Sequence, residues 1–340
     1  MIRATSVRPS RRQIDATRAV VRWYLRLYFG TPHDPGVTAR FCDPAVVGAW
    51  AIDPVELGAG EPQALFRLLV ATAMFQRRQD QQILRILRST SADAVRDLSD
   101  AERLLAAAEK CGCSALATND SLIDTCDLTK DPATKRGVCT LNPAIQCRPK
   151  EHTVWLKRYG HFGKVPTSAA LVVRETGAGD LRSLYERTLR THRAREARAA
   201  ALEAELSRAW RINQKIACMF LSALSNPDLA RGLAPWSEGL HWRRFVVIDS
   251  NVDLFLASIS YRGGSSYDAR RHFIQALAAE IDLRAEGARV HADNPRLVQQ
   301  AMFVFMSASN RRASPNDCMH ASPPICHACA LRFRCPLQAS

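Results

Sequence analysis

A chain of 340 residues with 47% apolar content can bury a sizeable core, so disorder is excluded as its default state. Its 47 basic residues against 33 acidic ones leave a net charge of +14, which favours a polyanionic partner; a basic solvated surface without nucleic acid is the alternative that composition leaves open. No run approaches the ~18 uninterrupted apolar residues of a membrane helix, and the first residues, with Arg3, Arg8, Arg11 and Arg12, lack the apolar core of a secretory signal, so we expect a monomer inside the cell, cytoplasmic in a bacterium, with no membrane partner.

Ala19, Val20, Trp23, Tyr24 and Leu27 recur at helical spacing and predict a helix over 12–28, closed by Gly30-Thr31-Pro32. Five prolines make 31–62 an irregular connection. A long helix is expected over 61–87; its apolar run through Leu68, Leu69, Val70, Ala73, Met74 and Phe75 turns polar at Gln76-Arg77-Arg78-Gln79-Asp80, which marks a wet cleft or a turn.

Another helix is expected over 100–110. Residues 111–150 then carry Cys111, Cys113, Cys126, Cys139 and Cys147 among turn formers, as an insertion or long loop. Their uneven gaps differ from the compact C-x2-C pairs of structural zinc sites, so buried free thiols are favoured over a second metal site. Residues 150–164 interleave positive charge with Trp155, Tyr159 and Phe162, which suits phosphate contact and stacking beside a displaced base, with Lys157 and Arg158 as the phosphate candidates. A half-buried amphipathic hairpin is the plain alternative there.

Helices are expected over 181–201, 202–210 and from Lys215 to Leu224, then a strand-like run 245–248 and helices near 251–260, 267–281 and 294–308. The reading is all-α, with no internal repeat.

Cys318, Cys326, Cys329 and Cys335 follow the spacing C-x7-C-x2-C-x5-C, close enough for one loop to wrap a single centre. Four thiolates suit a [4Fe-4S] cluster or tetrahedral zinc, and ligand count does not separate the two. This loop resembles the C-terminal cluster loop of endonuclease III and the adenine-mismatch glycosylases, in the helix-hairpin-helix superfamily, whose usual first gap is one residue shorter. The resemblance extends to Trp210-Arg211-Ile212-Asn213-Gln214-Lys215-Ile216-Ala217, at the place of the family hairpin, and to Val247-Ile248-Asp249-Ser250-Asn251-Val252, at the place of the segment with the essential aspartate.

The resemblance implies a two-lobed helix-hairpin-helix DNA glycosylase fold with a [4Fe-4S] cluster loop. Residues 1–58 would pack on the cluster lobe, 59–225 would form a helical barrel with the insertion 111–150 and the hairpin 209–217, and 226–340 would carry the aspartate and the cluster. Lys215 falls at the lysine of the base-excising lyases and Asp249 at the aspartate, on opposite walls of a cleft. Gln76, Thr72 and Asn251 fall near the extruded base, and Arg211 and Asn213 at the DNA-binding hairpin. Two hairpin glycines are replaced by Arg211 and Asn213; asparagine tolerates a left-handed backbone and arginine can hold a phosphate by its side chain. Thr72 stands where the adenine-mismatch enzyme keeps a glutamate, which disfavours adenine excision.

The implied activity is excision of a damaged or modified base from double-stranded DNA. A carboxylate at Asp249 would stabilise the sugar cation, and the Lys215 amine would attack C1′ and add β-lyase chemistry. Two alternatives remain open: excision of a hypermodified base, such as a glucosylated cytosine, from phage DNA in host defence, and an inert iron-sulfur DNA-binding protein. At single-residue level Asp249 also reads as a helix N-cap, and Lys215 as a lysine snorkelling from a helix start.

Overall fold

The computed structural model describes residues 8–31, 37–76, 79–134, 136–152, 163–230 and 232–307. They are mostly helical, with one antiparallel pair of two-residue strands, Thr129–Lys130 and Gly137–Val138. Among them no helix is long and apolar enough to cross a membrane. The chain divides into two compact units, one of residues 1–39, 221–231 and 242–340, the other of 40–220 and 232–241.

In the first unit the helix Arg11–Leu27 starts at a capping box: the Ser10 hydroxyl accepts the Gln13 amide, and the Gln13 side chain accepts the Ser10 amide. Its apolar stripe, Ile14, Val20, Val21 and Tyr24, packs along the helix Pro295–Met306. That helix is buried on nearly every side, as its Leu297, Val298, Ala301, Met302 and Phe305 demand, and the helices Ser250–Ser258 and Tyr267–Ala279 cover the rest of it. Each such leucine or phenylalanine contributes ~1.5–3 kcal/mol by leaving water.

The run Phe245–Ile248 is buried yet is not a strand. The Tyr267 hydroxyl serves its backbone instead, donating to the Val246 carbonyl at 2.8 Å and accepting the Ile248 amide at 3.2 Å.

The second unit centres on the helices Pro62–Ala73 and Lys164–Glu175, both buried over most of their surface. The sequence pattern assigns no element to the latter, of which only Lys164 falls in the basic and aromatic stretch 150–164. The single helix expected over 61–87 is two, Pro62–Ala73 and Asp80–Arg88. The chain turns after Ala73, where the Phe75 ring meets Phe41 edge-on at 5.9 Å and so stays with the core while the following residues change direction.

The break expected near 201 lies earlier, between Leu181–Thr191 and Arg195–Leu206. There the Arg198 guanidinium donates to the carbonyls of His192 and Leu189 at the end of the first helix, and to that of Gly239 in a neighbouring turn.

The unit boundary falls at 39/40, ahead of the 58/59 expected from the sequence, because the short helices Pro44–Val47 and Gly48–Trp50 pack on Asp80–Arg88 and bury Trp50 completely. Gly48 takes φ +63°, and a Cβ there would stand 2.7 Å from the Arg88 carbonyl oxygen, so only glycine fits.

Candidate functional site

The helices Arg195–Leu206 and Gln214–Ser225 are joined by the turn 207–213. A buried relay fixes this turn. The Trp210 amide donates to the Ser168 hydroxyl at 2.6 Å, that hydroxyl donates to Asn119 Oδ1 at 2.5 Å, and Asn119 Nδ2 donates to the Arg208 carbonyl at 3.1 Å. Ser168 and Asn119 are buried, so these polar groups stay inside only because they satisfy one another.

Arg211 carries the left-handed backbone of the turn, at φ +63°. Asn213, the residue expected to tolerate that conformation, instead accepts the Ile216 amide on Oδ1 at 3.3 Å and so starts the next helix. Both residues are exposed. The Arg211 guanidinium lies 5.1 Å from the centroid of the Trp210 ring, and Lys164 Nζ lies 4.6 Å from the same centroid.

The end of the Pro62–Ala73 helix is tied to this turn. Gln76 Nε2 donates to the carbonyls of Ala73 at 2.7 Å and Arg211 at 2.9 Å, and Lys215 Nζ donates to the Phe75 carbonyl at 3.3 Å. Gln76, Arg211 and Lys215 are therefore gathered at one place on the second unit. Thr72, expected beside the base, is 1% exposed, and its hydroxyl has no hydrogen-bond partner among the described residues.

Asp249 and Asn251 belong to the first unit. Asp249 is the N-cap of Ser250–Ser258, with extended backbone and with Oδ1 accepting the Val252 amide at 2.9 Å. The helix start orients the carboxylate. Asn251 is half-buried at the second position of that helix. The same unit has a shallow depression of about 480 Å³ lined by Arg284, Arg289, His291 and Asp228, where Asp228 Oδ1 holds His291 Nδ1 at 3.0 Å.

Lys157, Arg158, Cys318, Cys326, Cys329 and Cys335 lie outside the described residues. Two other lysines of the basic stretch, Lys150 and Lys164, are internal struts. Lys164 is buried with Nζ on the Cys126 carbonyl, and burial pushes its ammonium below the ordinary lysine range, against the opposing pull of Cys126 and Asp127. Lys150 is also buried, and its Nζ donates to the carbonyls of Asn142, Pro143 and Ile145.

The insertion cysteines are drawn together. Cys111, Cys113 and Cys147 join Trp210 in packing around Ala108, Leu116, Leu122 and Leu171. Burial pushes the Cys147 thiol up to about 11, which favours its protonated form when no cation is bound. Among the described residues no three His, Cys, Asp or Glu side chains stand in metal-ligating arrangement.

Sequence reasoning missed the Asn119–Ser168 relay. Its one visible signal is a pair of hydroxyl residues, Thr167 and Ser168, inside an otherwise apolar helix. Comparison with protein-family models, with curated proteins and with solved structures finds no match to the chain.

Proposed function

We propose that the chain is a DNA glycosylase of the helix-hairpin-helix type, which extrudes a damaged or modified base from duplex DNA and cuts its N-glycosidic bond. One observation carries this reading: the turn between Arg195–Leu206 and Gln214–Ser225 has an exposed, left-handed Arg211 and sets Lys215 in the first turn of the second helix. A left-handed turn running into a helix N-terminus presents backbone N–H groups and the positive end of a dipole, the chemistry that binds a phosphate. The Arg211 side chain adds a formal charge to the same place.

In this reading, extrusion exposes C1′ of one nucleotide. Cleavage of the glycosidic bond builds positive charge on the sugar, which the helix-capping carboxylate of Asp249 stabilises. The Lys215 amine attacks C1′ as the base leaves with the bonding electron pair, and the resulting Schiff base opens the route to β-elimination of the strand. The hold of Phe75 on Lys215 Nζ keeps the amine aimed until substrate displaces it.

A [4Fe-4S] cluster on Cys318, Cys326, Cys329 and Cys335 belongs to this proposal as a structural or redox-responsive centre, and no catalytic step passes through it.

The test is borohydride trapping across duplexes bearing different damaged bases and across phage DNA with hypermodified cytosines. Wild-type protein is expected to trap covalently on its substrate, and Lys215→Gln is expected to give no trapped product. Trapping on the phage DNA alone assigns the enzyme to hypermodified bases. Neither excision nor trapping on any of these DNAs, from a protein that still binds DNA, overturns the enzyme reading in favour of an inert binding protein.

A further inference from the structure

Among the described residues of the insertion between the helices Ala101–Cys111 and Lys164–Glu175, the buried hydrophobic side chains are Ala115, Leu116, Leu122 and Leu128, and none from Thr129 to Arg148 is buried. Its one sheet is the pairing of Thr129 with Val138 and Lys130 with Gly137. A two-residue ladder with no buried side chain of its own is the kind of segment that a crosslink stabilises.

Four cysteines are arranged where a crosslink would act. Cys126 precedes the first strand and Cys139 directly follows the second, so they stand at the two feet of the hairpin. The feet are held together beyond the ladder by Asp127, whose Oδ2 accepts both the Thr140 amide, at 2.9 Å, and the Thr140 hydroxyl. Asn142 joins Cys113 to Cys139: its Nδ2 donates to Cys113 Sγ at 3.3 Å, and its carbonyl accepts from Cys139 Sγ at 3.4 Å. Cys147 shares with Cys113 the apolar cluster beside Trp210. Cys111 packs in the same cluster, but its thiol already donates to the Ala108 carbonyl of its own helix at 3.1 Å.

The surroundings suit thiolates bound to a cation. Cys113 accepts an N–H from the Asn142 side chain at 3.3 Å. N–H donors aimed at sulfur stabilise the charged form and are the usual outer shell of metal–thiolate centres. Lys150 and Lys164 add two buried ammonium groups beside the hairpin, fixed on its backbone carbonyls, where a doubly negative tetrathiolate would need them.

We propose that Cys113, Cys126, Cys139 and Cys147 form a structural site for one tetrahedral zinc ion, separate from the C-terminal cysteines and independent of the glycosylase reading. The sulfurs are gathered but no three stand at ligand spacing, so loading turns the side chains about χ1 toward a common centre. Four thiol protons leave to solvent as four Zn–S bonds form, and the metal staples the hairpin to the Ala101–Cys111 helix and to the turn before Lys150.

The test uses the full chain. Zinc is measured by elemental mass spectrometry in the wild type, in a variant with serine at Cys318, Cys326, Cys329 and Cys335, and in Cys126→Ser. One zinc per chain is expected to survive loss of the C-terminal cysteines and to vanish in Cys126→Ser, and cobalt in its place is expected to give sulfur-to-metal charge-transfer bands. A second measurement on the wild type covers a variant that does not fold. Cys113, Cys126, Cys139 and Cys147 are expected to resist alkylation until a zinc chelator is added and to label together afterwards. A C-terminal variant that folds without zinc, a folded Cys126→Ser that keeps it, labelling unchanged by the chelator, or a disulfide among the four overturns the proposal.

Discussion

The side-chain amide of Gln76 donates to the main-chain carbonyl of Arg211 at 2.9 Å, and the same nitrogen donates to the Ala73 carbonyl at 2.7 Å. One residue thus closes the Pro62–Ala73 helix and anchors the turn that would meet DNA. Gln76→Ala removes both bonds, for about 1 kcal/mol each at most, because the Arg211 carbonyl can turn to water. Gln76→Glu keeps the shape but sets a carboxylate against two carbonyl oxygens. We expect Glu to lower the melting temperature more than Ala, and both to weaken duplex DNA binding. Equal melting of all three proteins would mean that the bond does not form in solution.

Arg211 supports two separable properties, its backbone conformation and its side-chain charge. A left-handed φ costs a side-chain-bearing residue ~1–2 kcal/mol that glycine avoids. Arg211→Gly is therefore expected to raise stability in urea titrations by about 1 kcal/mol while weakening DNA binding and reducing the salt slope by about one ion. Arg211→Val, β-branched in the same backbone, should lower stability and binding together. A glycine variant less stable than wild type would show that the stacking of Arg211 on Trp210 outweighs the backbone strain.

The helices were legible where apolar residues repeat at helical spacing, as in Arg11–Leu27 and Pro295–Met306. The Lys164–Glu175 helix was not, because burial on nearly every side erases the polar face that makes periodicity visible. The break after Ala73 carries no glycine or proline to announce it, and the run Phe245–Ile248 has the composition of a strand but meets a tyrosine hydroxyl instead of a partner strand. At the site, the resemblance to helix-hairpin-helix glycosylases singled out Gln76, Arg211 and Lys215, which the fold gathers on one unit. It could not tell which turn residue takes the left-handed backbone, or that cysteines with uneven gaps would be drawn together by a hairpin.

His152 gives the fold a pH dependence. Burial holds its imidazole below the ordinary histidine range, with Glu151 and Asp97 pulling back up and Arg148 adding to the depression. As pH falls, the unfolded chain takes the proton first, near pH ~6.5, so stability present above that pH is lost as pH drops toward the lower folded value. His152→Leu is expected to flatten the melting temperature across this acid window while leaving it almost unchanged above it. A slope identical to wild type would place the sensitivity elsewhere.

Asp249 combines a structural duty with the proposed chemical one, and substitution can separate them. Its Oδ1 caps Ser250–Ser258 through the Val252 amide, a task that asparagine and serine perform about as well and alanine does not. Asp249→Asn and Asp249→Ser should therefore melt close to wild type, while Asp249→Ala should lose ~1 kcal/mol of stability. All three lack the negative charge that would face a developing sugar cation, so all three should lose excision by several kcal/mol of barrier, about a hundredfold or more in single-turnover rate. DNA affinity should stay unchanged or rise, since removing a carboxylate reduces repulsion from phosphate. If excision instead follows stability, with Asn and Ser active and only Ala impaired, Asp249 is a helix cap and the carboxylate of the reaction must be sought among other residues.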